Sequence, residues 1–265
     1  RRQRQMCIRD SLYTVDGKLV REIELPTYGT VSVSSSRDND EVFYAFSSFV
    51  YPSALYKYDL DTGESKLYHQ TEIEGLDPED YVTEQVFYTS ADGTRVPMFT
   101  VRHKDVVADG TNPVYLYGYG GFNITLNPGF NANRLLWLEN GGIYAQANLR
   151  GGAEYGDEWH EAGTKMKKLN VFNDFIAAAE YMKAQGWTKP ELLTIEGGSN
   201  GGLLVGATVN LRPDLFKVAI PRVGVMDMMR YHLFTIGWNW APDYGTADDS
   251  EEMAAYLLGL SLIHI

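Results

Sequence analysis

The sequence predicts an α/β protein: a mainly parallel sheet with helices on both faces, preceded by a run of short antiparallel strands. Three observations carry that reading. Beyond about residue 95, strand-length apolar runs alternate with helical patterns, the signature of a parallel sheet covered by helices. Before residue 75, short alternating runs are broken by Asp-Gly and Asp-Thr-Gly turns, which signal hairpins. A glycine-rich turn, TIEGGSNGGL (Thr194 to Leu203), joins a strand pattern directly to a helical one.

Taken in order, SLYTVDGKLVREIEL forms two strands around Asp16-Gly17, and SALYKYDLDTGESKLYH does the same around Asp61-Thr62-Gly63. Leu12-Tyr13 recurs as Leu55-Tyr56, 43 residues later, a spacing that suits a blade of a β-propeller. A plain meander would give the same local pattern. EVFYAFSSF supplies an aromatic and β-branched strand between the two hairpins. QTEIEGLDPEDYV is acidic and turn-rich and reads as a linker. Two strands follow around Ala91-Asp92-Gly93, then strand 114–118, helix 133–139 and strand 142–149. In 171–186, Val171, Phe172, Phe175, Ile176, Ala179 and Met182 share one helical face, and Gly186 stops the helix. LLTIE is a strand, LLVGATVNL a helix ended before Pro213, and KVAIPRVG starts another strand.

The chain has 265 residues, enough for one large domain or one medium domain plus part of another. Its net charge of −12 argues against a nucleic-acid partner, whose footprint is basic. No run of 18 apolar residues suggests a membrane span, and no apolar core follows the basic start as in a leader peptide. The single cysteine rules out an internal disulfide. The five histidines are scattered without ligand spacing, so neither a metal nor a cofactor is expected.

Gly197-Gly198-Ser199-Asn200-Gly201 matches G-x-S-x-G between strand and helix, the setting of a serine nucleophile. Glycines two residues either side avoid collisions with the neighbouring strand and helix, and the serine itself takes a strained backbone. The helix directs its N-terminus at developing negative charge. The backbone N–H of Asn200 is one oxyanion donor, contributing roughly 3–4 kcal/mol to the transition state. YLYGYGGFN, Tyr115 to Asn123, lies at the carboxyl edge of a strand, where open α/β sheets place ligands. A tyrosine hydroxyl there is a second oxyanion donor; spacing does not choose between Tyr117 and Tyr119.

Taken together, YGYGGFN, NLRGGAEYGDEWHEAG, GGSNGGLLVG, NLRPDLF, VGVMDMMRYH and DYGT make the chain resemble the prolyl oligopeptidase family from about residue 40 to 259. The resemblance implies a partial α/β-hydrolase fold over 76–259, preceded by the last part of a β-propeller over 12–75. It implies a serine-type endopeptidase that hydrolyses prolyl bonds in short peptides through an acyl-enzyme. Position by position, Ser199 matches the nucleophile, Asn200 the backbone donor and Tyr119 the hydroxyl donor. Phe122, Val225, Trp240 and Tyr244 match the walls of a proline pocket, with Trp240 stacking on the substrate ring. Trp238 lies two residues away, and the alignment through DYG favours Trp240. The family further implies short proline-containing peptides as partners, no nucleic acid or membrane, a monomer, and the cytoplasm with the periplasm as alternative. Two other readings are an oligopeptidase of the same family cutting after basic residues, and an inert propeller-type binding module.

The order in such hydrolases is serine, acid, histidine. His232 follows Ser199 too early, Asp227 lies well before the family's acid, and His160 reads as structural. The catalytic aspartate and histidine are therefore expected to lie outside this chain, leaving it inactive. The ends support the same view. Leu260 to Ile265 back-translates to CTGTCTCTTATACACAT, whose reverse complement encodes Met-Cys-Ile-Arg-Asp, the sequence of Met6 to Asp10. One DNA element read on opposite strands accounts for both. It resembles the adapter of transposase-based sequencing libraries, so residues 1–11 and 260–265 are expected to be foreign. Sequencing the source DNA is expected to show the adapter at both junctions; continuous native codons through them would overturn this.

Overall fold

The computed structural model describes residues 7–35 and 41–249. The expectations for residues 1–6 and 260–265 lie outside the described residues. The described chain divides after Glu84 into two compact units, with the segment Asn127–Leu136 joining the first.

The first unit is an antiparallel meander of five strands in the order β1 (Cys7–Tyr13), β2 (Leu19–Ser35), β3 (Val42–Ser47), β4 (Ala54–Tyr58) and β5 (Ser65–Gln70). β1 begins inside the segment expected to be foreign. Ladder pairing uses main-chain groups and accepts most sequences, so it does not bear on that segment's origin. Both anticipated turns close as hairpins. Gly17 at φ 83° and Gly63 at φ 80° supply the left-handed residue each turn needs. In the second turn, the Asp59 carboxylate accepts from the backbone of Asp61 and Thr62. The core of this unit is aromatic: Tyr44, Phe46 and Tyr58 are buried. Tyr44 stacks on its cross-strand partner Tyr56 at 5.0 Å, the kind of pair that stabilises an antiparallel ladder.

The second unit is a six-stranded sheet in the order β11-β10-β8-β9-β7-β6. β6 is Tyr81–Thr89, β7 Arg95–His103, β8 Val114–Gly118, β9 Ile143–Ala147, β10 Leu193–Gly198 and β11 Val218–Arg222. β9, β8, β10 and β11 run parallel, and β7 runs antiparallel to β9. β9 is buried at every position, as expected of a central strand covered on both faces. On the Tyr115 face, Trp137, near the end of α1 (Ala132–Glu139), meets Tyr115 edge-on at 5.6 Å. The opposite face carries Val114 and Leu116. They join one core with α3 (Leu169–Ala184) and α4 (Asn200–Leu211). On α3 the anticipated residues are buried except Ile176, which is half-buried, and Gly186 ends the segment at φ 73°. α2 (Asp157–Glu161) was not anticipated: five residues with one large apolar side chain show no period to read.

An ion cluster, buried at Arg150 and Asp174 but not at Asp92, ties the β6–β7 turn to the sheet and α3. Arg150 follows β9 and is 4% exposed; Asp174 on α3 is fully buried. Arg150 donates to Asp174 through Nε at 2.9 Å and Nη2 at 2.6 Å. Its Nη1 reaches Asp92 in the turn at 2.5 Å. Burial opposes the guanidinium charge, but the bonds from Asp174 and Asp92 outweigh it and push its pKa up. Removing one partner of such a pair strands the other charge in the core. Asp174→Ala is expected to destabilise the second unit by about 3–5 kcal/mol, measured by urea unfolding. The Arg150 hydrogen bond lowers Asp92 to about 2 from its ordinary 3.8. Between those values the unfolded chain binds the extra proton, so this contribution is present above about pH 4 and is lost as pH falls toward 2. The urea midpoint of Asp92→Asn should therefore vary less over that window than the parent's.

Candidate active site

All of the residues singled out for the site belong to the second unit. Ser199 sits between β10 and α4 with φ 56° and ψ −116°, a left-handed backbone that L-residues avoid. Three contacts hold it there. Its N–H donates to the Arg222 carbonyl at 2.9 Å, and its own carbonyl accepts from the N–H groups of Gly202 and Leu203. The flanking glycines are required by contact. A Cβ on Gly197 would lie 2.3 Å from the Gly201 carbonyl oxygen, and one on Gly201 would lie 2.6 Å from that of Gly118. Gly118 ends β8, so the turn lies directly against the end of the neighbouring strand. Ser199 is exposed, and Asn200 beside it is buried. Asn200 opens α4, and first-turn N–H groups of a helix have no intrahelical acceptor. Its backbone N–H is thus available beside the serine.

The Asn200 side chain is a brace. Its amide donates to the Tyr119 carbonyl, and its Oδ1 accepts from the Tyr244 hydroxyl at 3.1 Å. Tyr119 is the first residue past β8 and is half-buried. Burial raises its pKa, and a hydrogen bond with Ser199 opposes that rise. Tyr117 instead lies within β8, in register with Glu196 and Gln146.

The anticipated pocket residues form an aromatic run. Phe122, at φ 56°, meets Tyr244 edge-on at 5.3 Å. Tyr244 opens a face to Tyr231 at 5.4 Å, and Tyr231 stacks on Trp240 at 6.3 Å. Trp240 is half-buried while Trp238 is 65% exposed. Val225, past the end of β11, packs half-buried against the same core. Tyr231 was not singled out from the sequence. Its buried hydroxyl bonds to the Gly245 carbonyl and fixes the end of α5 (Ala241–Tyr244). Burial pushes the Tyr244 hydroxyl far above its ordinary range, so it stays a protonated donor to Asn200.

Charge lies beneath this wall. Asp243 is 4% exposed and Lys168 1%. Asp243 accepts from the Phe122 N–H at 3.1 Å and lies 2.7 Å from His160 Nε2. Burial pulls Lys168 down to about 8, with Asp243 opposing. His232 lies 3.2 Å from Asp248, and the Asp227 carboxylate is taken up by Arg230 at 2.6 Å. Among the described residues no histidine is hydrogen-bonded to Ser199, and no cluster of His, Cys, Asp and Glu could hold a metal ion. No helix among them is long and apolar enough to cross a membrane.

A mainly parallel sheet that presents a strained serine between a strand and a helix N-terminus defines the α/β-hydrolase class. Comparison with known proteins narrows this. Residues 128–262 match the model of the prolyl oligopeptidase family, and residues 8–71 match that of its N-terminal β-propeller domain. The chain belongs to the prolyl oligopeptidase family, and its first unit is part of a β-propeller. Among curated relatives, a prolyl endopeptidase of Elizabethkingia miricola is 53% identical over 253 residues, 95% of this chain and 36% of the relative. One of Dictyostelium discoideum is 46% identical over 91% of this chain and 32% of its own. Among solved structures, one from a study of two prolyl endopeptidases has a TM-score of 0.88 at 48% identity, covering 93% of this chain and 36% of its own. Prolyl oligopeptidase B from Galerina marginata, bound to a 25mer macrocyclization substrate, has a TM-score of 0.90 at 36% identity, covering 96% of this chain and 36% of its own. The chain thus spans about a third of the length of these relatives.

The glycine contacts give a direct test. Gly201→Ala sets a Cβ against backbone that cannot rotate away, whereas nothing lies within 4 Å of a Cβ on Gly198. Urea midpoints are expected to show Gly201→Ala destabilised by about 1–3 kcal/mol and Gly198→Ala within about 0.5 kcal/mol of the parent.

Proposed function

We propose that this chain is the nucleophile-bearing part of a serine endopeptidase that hydrolyses prolyl bonds in short peptides. The observation that carries the reading is the strained, exposed Ser199 between β10 and the N-terminus of α4, with Tyr119 at the end of the neighbouring strand. In this reading Ser199 Oγ attacks the carbonyl carbon of the prolyl residue. The oxyanion forms between the Asn200 N–H and the Tyr119 hydroxyl, which together stabilise the developing charge. The amine leaves with a proton, an acyl-enzyme remains on Ser199, and water hydrolyses it. Phe122, Val225, Trp240 and Tyr244 wall the pocket for the proline ring, and Trp240 offers the flat face on which it stacks.

The base and its orienting acid come from parts of the complete protein outside this chain, as do the remaining blades of the propeller. Within the chain, we assign residues 12–75 to the end of the propeller and 76–259 to the hydrolase domain. The substrates are short proline-containing peptides, and the complete protein works as a monomer in the cytoplasm.

Without a base the serine is a weak nucleophile. A fluorophosphonate probe should leave the 265-residue chain unlabelled and label Ser199 in the complete gene product, where it should also block cleavage of a chromogenic prolyl peptide. Trp240→Leu in the complete protein should raise KM for that peptide about two- to tenfold, the scale of one aromatic contact (~0.5–1.5 kcal/mol). Equal cleavage after proline and after lysine would overturn the specificity. A complete protein that neither labels nor cleaves would overturn the activity.

A further inference from the structure

Three ionisable side chains meet under the turn that follows β8, and the reaction proposed above assigns them no role. Lys168 Nζ donates to the Gly120 carbonyl at 3.1 Å and lies 3.5 Å from Asp243 Oδ2. The same Oδ2 accepts from the Phe122 N–H, and Oδ1 meets His160 Nε2. One ammonium and one carboxylate thus grip a carbonyl and an amide two residues apart in the same turn. That turn needs gripping. Phe122 and Asn123 are both left-handed, at φ 56° and 55°, although neither is glycine; such residues persist only where their surroundings over-determine them.

The cluster reaches the pocket as well. Asp243 precedes Tyr244 in α5, Lys168 Nζ lies 5.3 Å from the Tyr244 ring centroid, and the Tyr244 hydroxyl bonds to Asn200. A buried ion pair contributes little stability that well-packed apolar side chains would not, because both charges must leave water. Its use here is geometric.

We infer that Lys168, Asp243 and His160 are positioning residues that lock the turn Tyr119–Phe122, so that Tyr119 stays held beside the serine turn by Asn200 and the Phe122 ring stays against Tyr244. Asp243 is the pivot. It holds the turn from below through Phe122, is held at one oxygen by Lys168, and is aimed at the other by His160, which is partly exposed at the rim. The lock makes the oxyanion donor and the pocket wall one rigid piece. This inference rests on the function proposed above.

The test is a mutant cycle in the complete gene product, read as kcat and KM on a chromogenic prolyl peptide. Asp243→Asn keeps the size and an acceptor for Phe122 but loses the charge. It should lower kcat about ten- to hundredfold, the scale of a misplaced catalytic group. In a Tyr119→Phe background, which has no hydroxyl left to misplace, the same change should lower kcat less than about twofold, since residues acting through one group are not additive. His160→Ala should lower kcat in the same background-dependent way, and His160→Gln, which can still donate to Asp243, should restore it. Should Asp243→Asn fail to fold, the His160 pair carries the test, because it strands no fully buried charge. Equal losses with and without the Tyr119 hydroxyl, or unchanged kcat in both variants, would overturn the lock. Should the wild-type protein not cleave prolyl peptides at all, the proposed function fails separately, and amide exchange still reads the lock. The Phe122 amide should then exchange at least about tenfold faster in His160→Ala than in the parent, and equal rates would overturn it.

Discussion

The second unit depends on one close approach: the turn after β10 lies against the end of β8 with no room for a Cβ between them. Gly197, Gly201 and Gly118 are the residues in contact there. The approach forces Ser199 into a left-handed backbone, and the surrounding bonds offset the strain. It also brings Asn200 beneath Tyr119, so the residue after the serine can brace the turn that carries the hydroxyl. The serine turn and the turn after β8 are thus placed by how tightly two parallel strands and one helix pack.

Two ionic clusters with largely buried members support this arrangement. Arg150 with Asp174 and Asp92 clamps the β6–β7 hairpin to α3, and its forked geometry satisfies both carboxylates. Lys168 with Asp243 lies under the donor turn and spends its hydrogen bonds on backbone groups. A guanidinium suits the first site because its donors are fixed in a plane; an ammonium suits the second because its donors rotate to meet a carbonyl and a carboxylate at once.

Elements with a clear period were legible in the sequence. The β6–β7 turn, β8, β9, α3, β10 and α4 all follow from apolar spacing and their stop signals, and the strained conformation of the serine turn follows from its glycines. What escaped was polar and non-local. Asp243 and Phe122 are separated by 121 positions, yet the carboxylate holds the amide. Periodicity reports which face of an element is buried; it does not report what a buried carboxylate, lysine or phenol will meet. Lys168 precedes α3 among other lysines and reads as a solvated charge, and Tyr231 sits in a segment of short turns with no repeat. Tyr117 and Tyr119 look alike in the sequence because both lie near a strand end; in the structure the first is inside β8 and the second just past it.

One bond gives the serine turn a dependence on its flank. The N–H of Ser199 is anchored to the carbonyl of Arg222, the last residue of β11. Among the described residues β11 forms one edge of this sheet, and every residue in it is half-buried or exposed. Edge strands open locally more readily than central ones. The conformation of Ser199 is therefore tethered to an edge strand of its sheet. Whatever pairs along the free side of β11 would damp its fraying and, through one carbonyl, keep Ser199 poised.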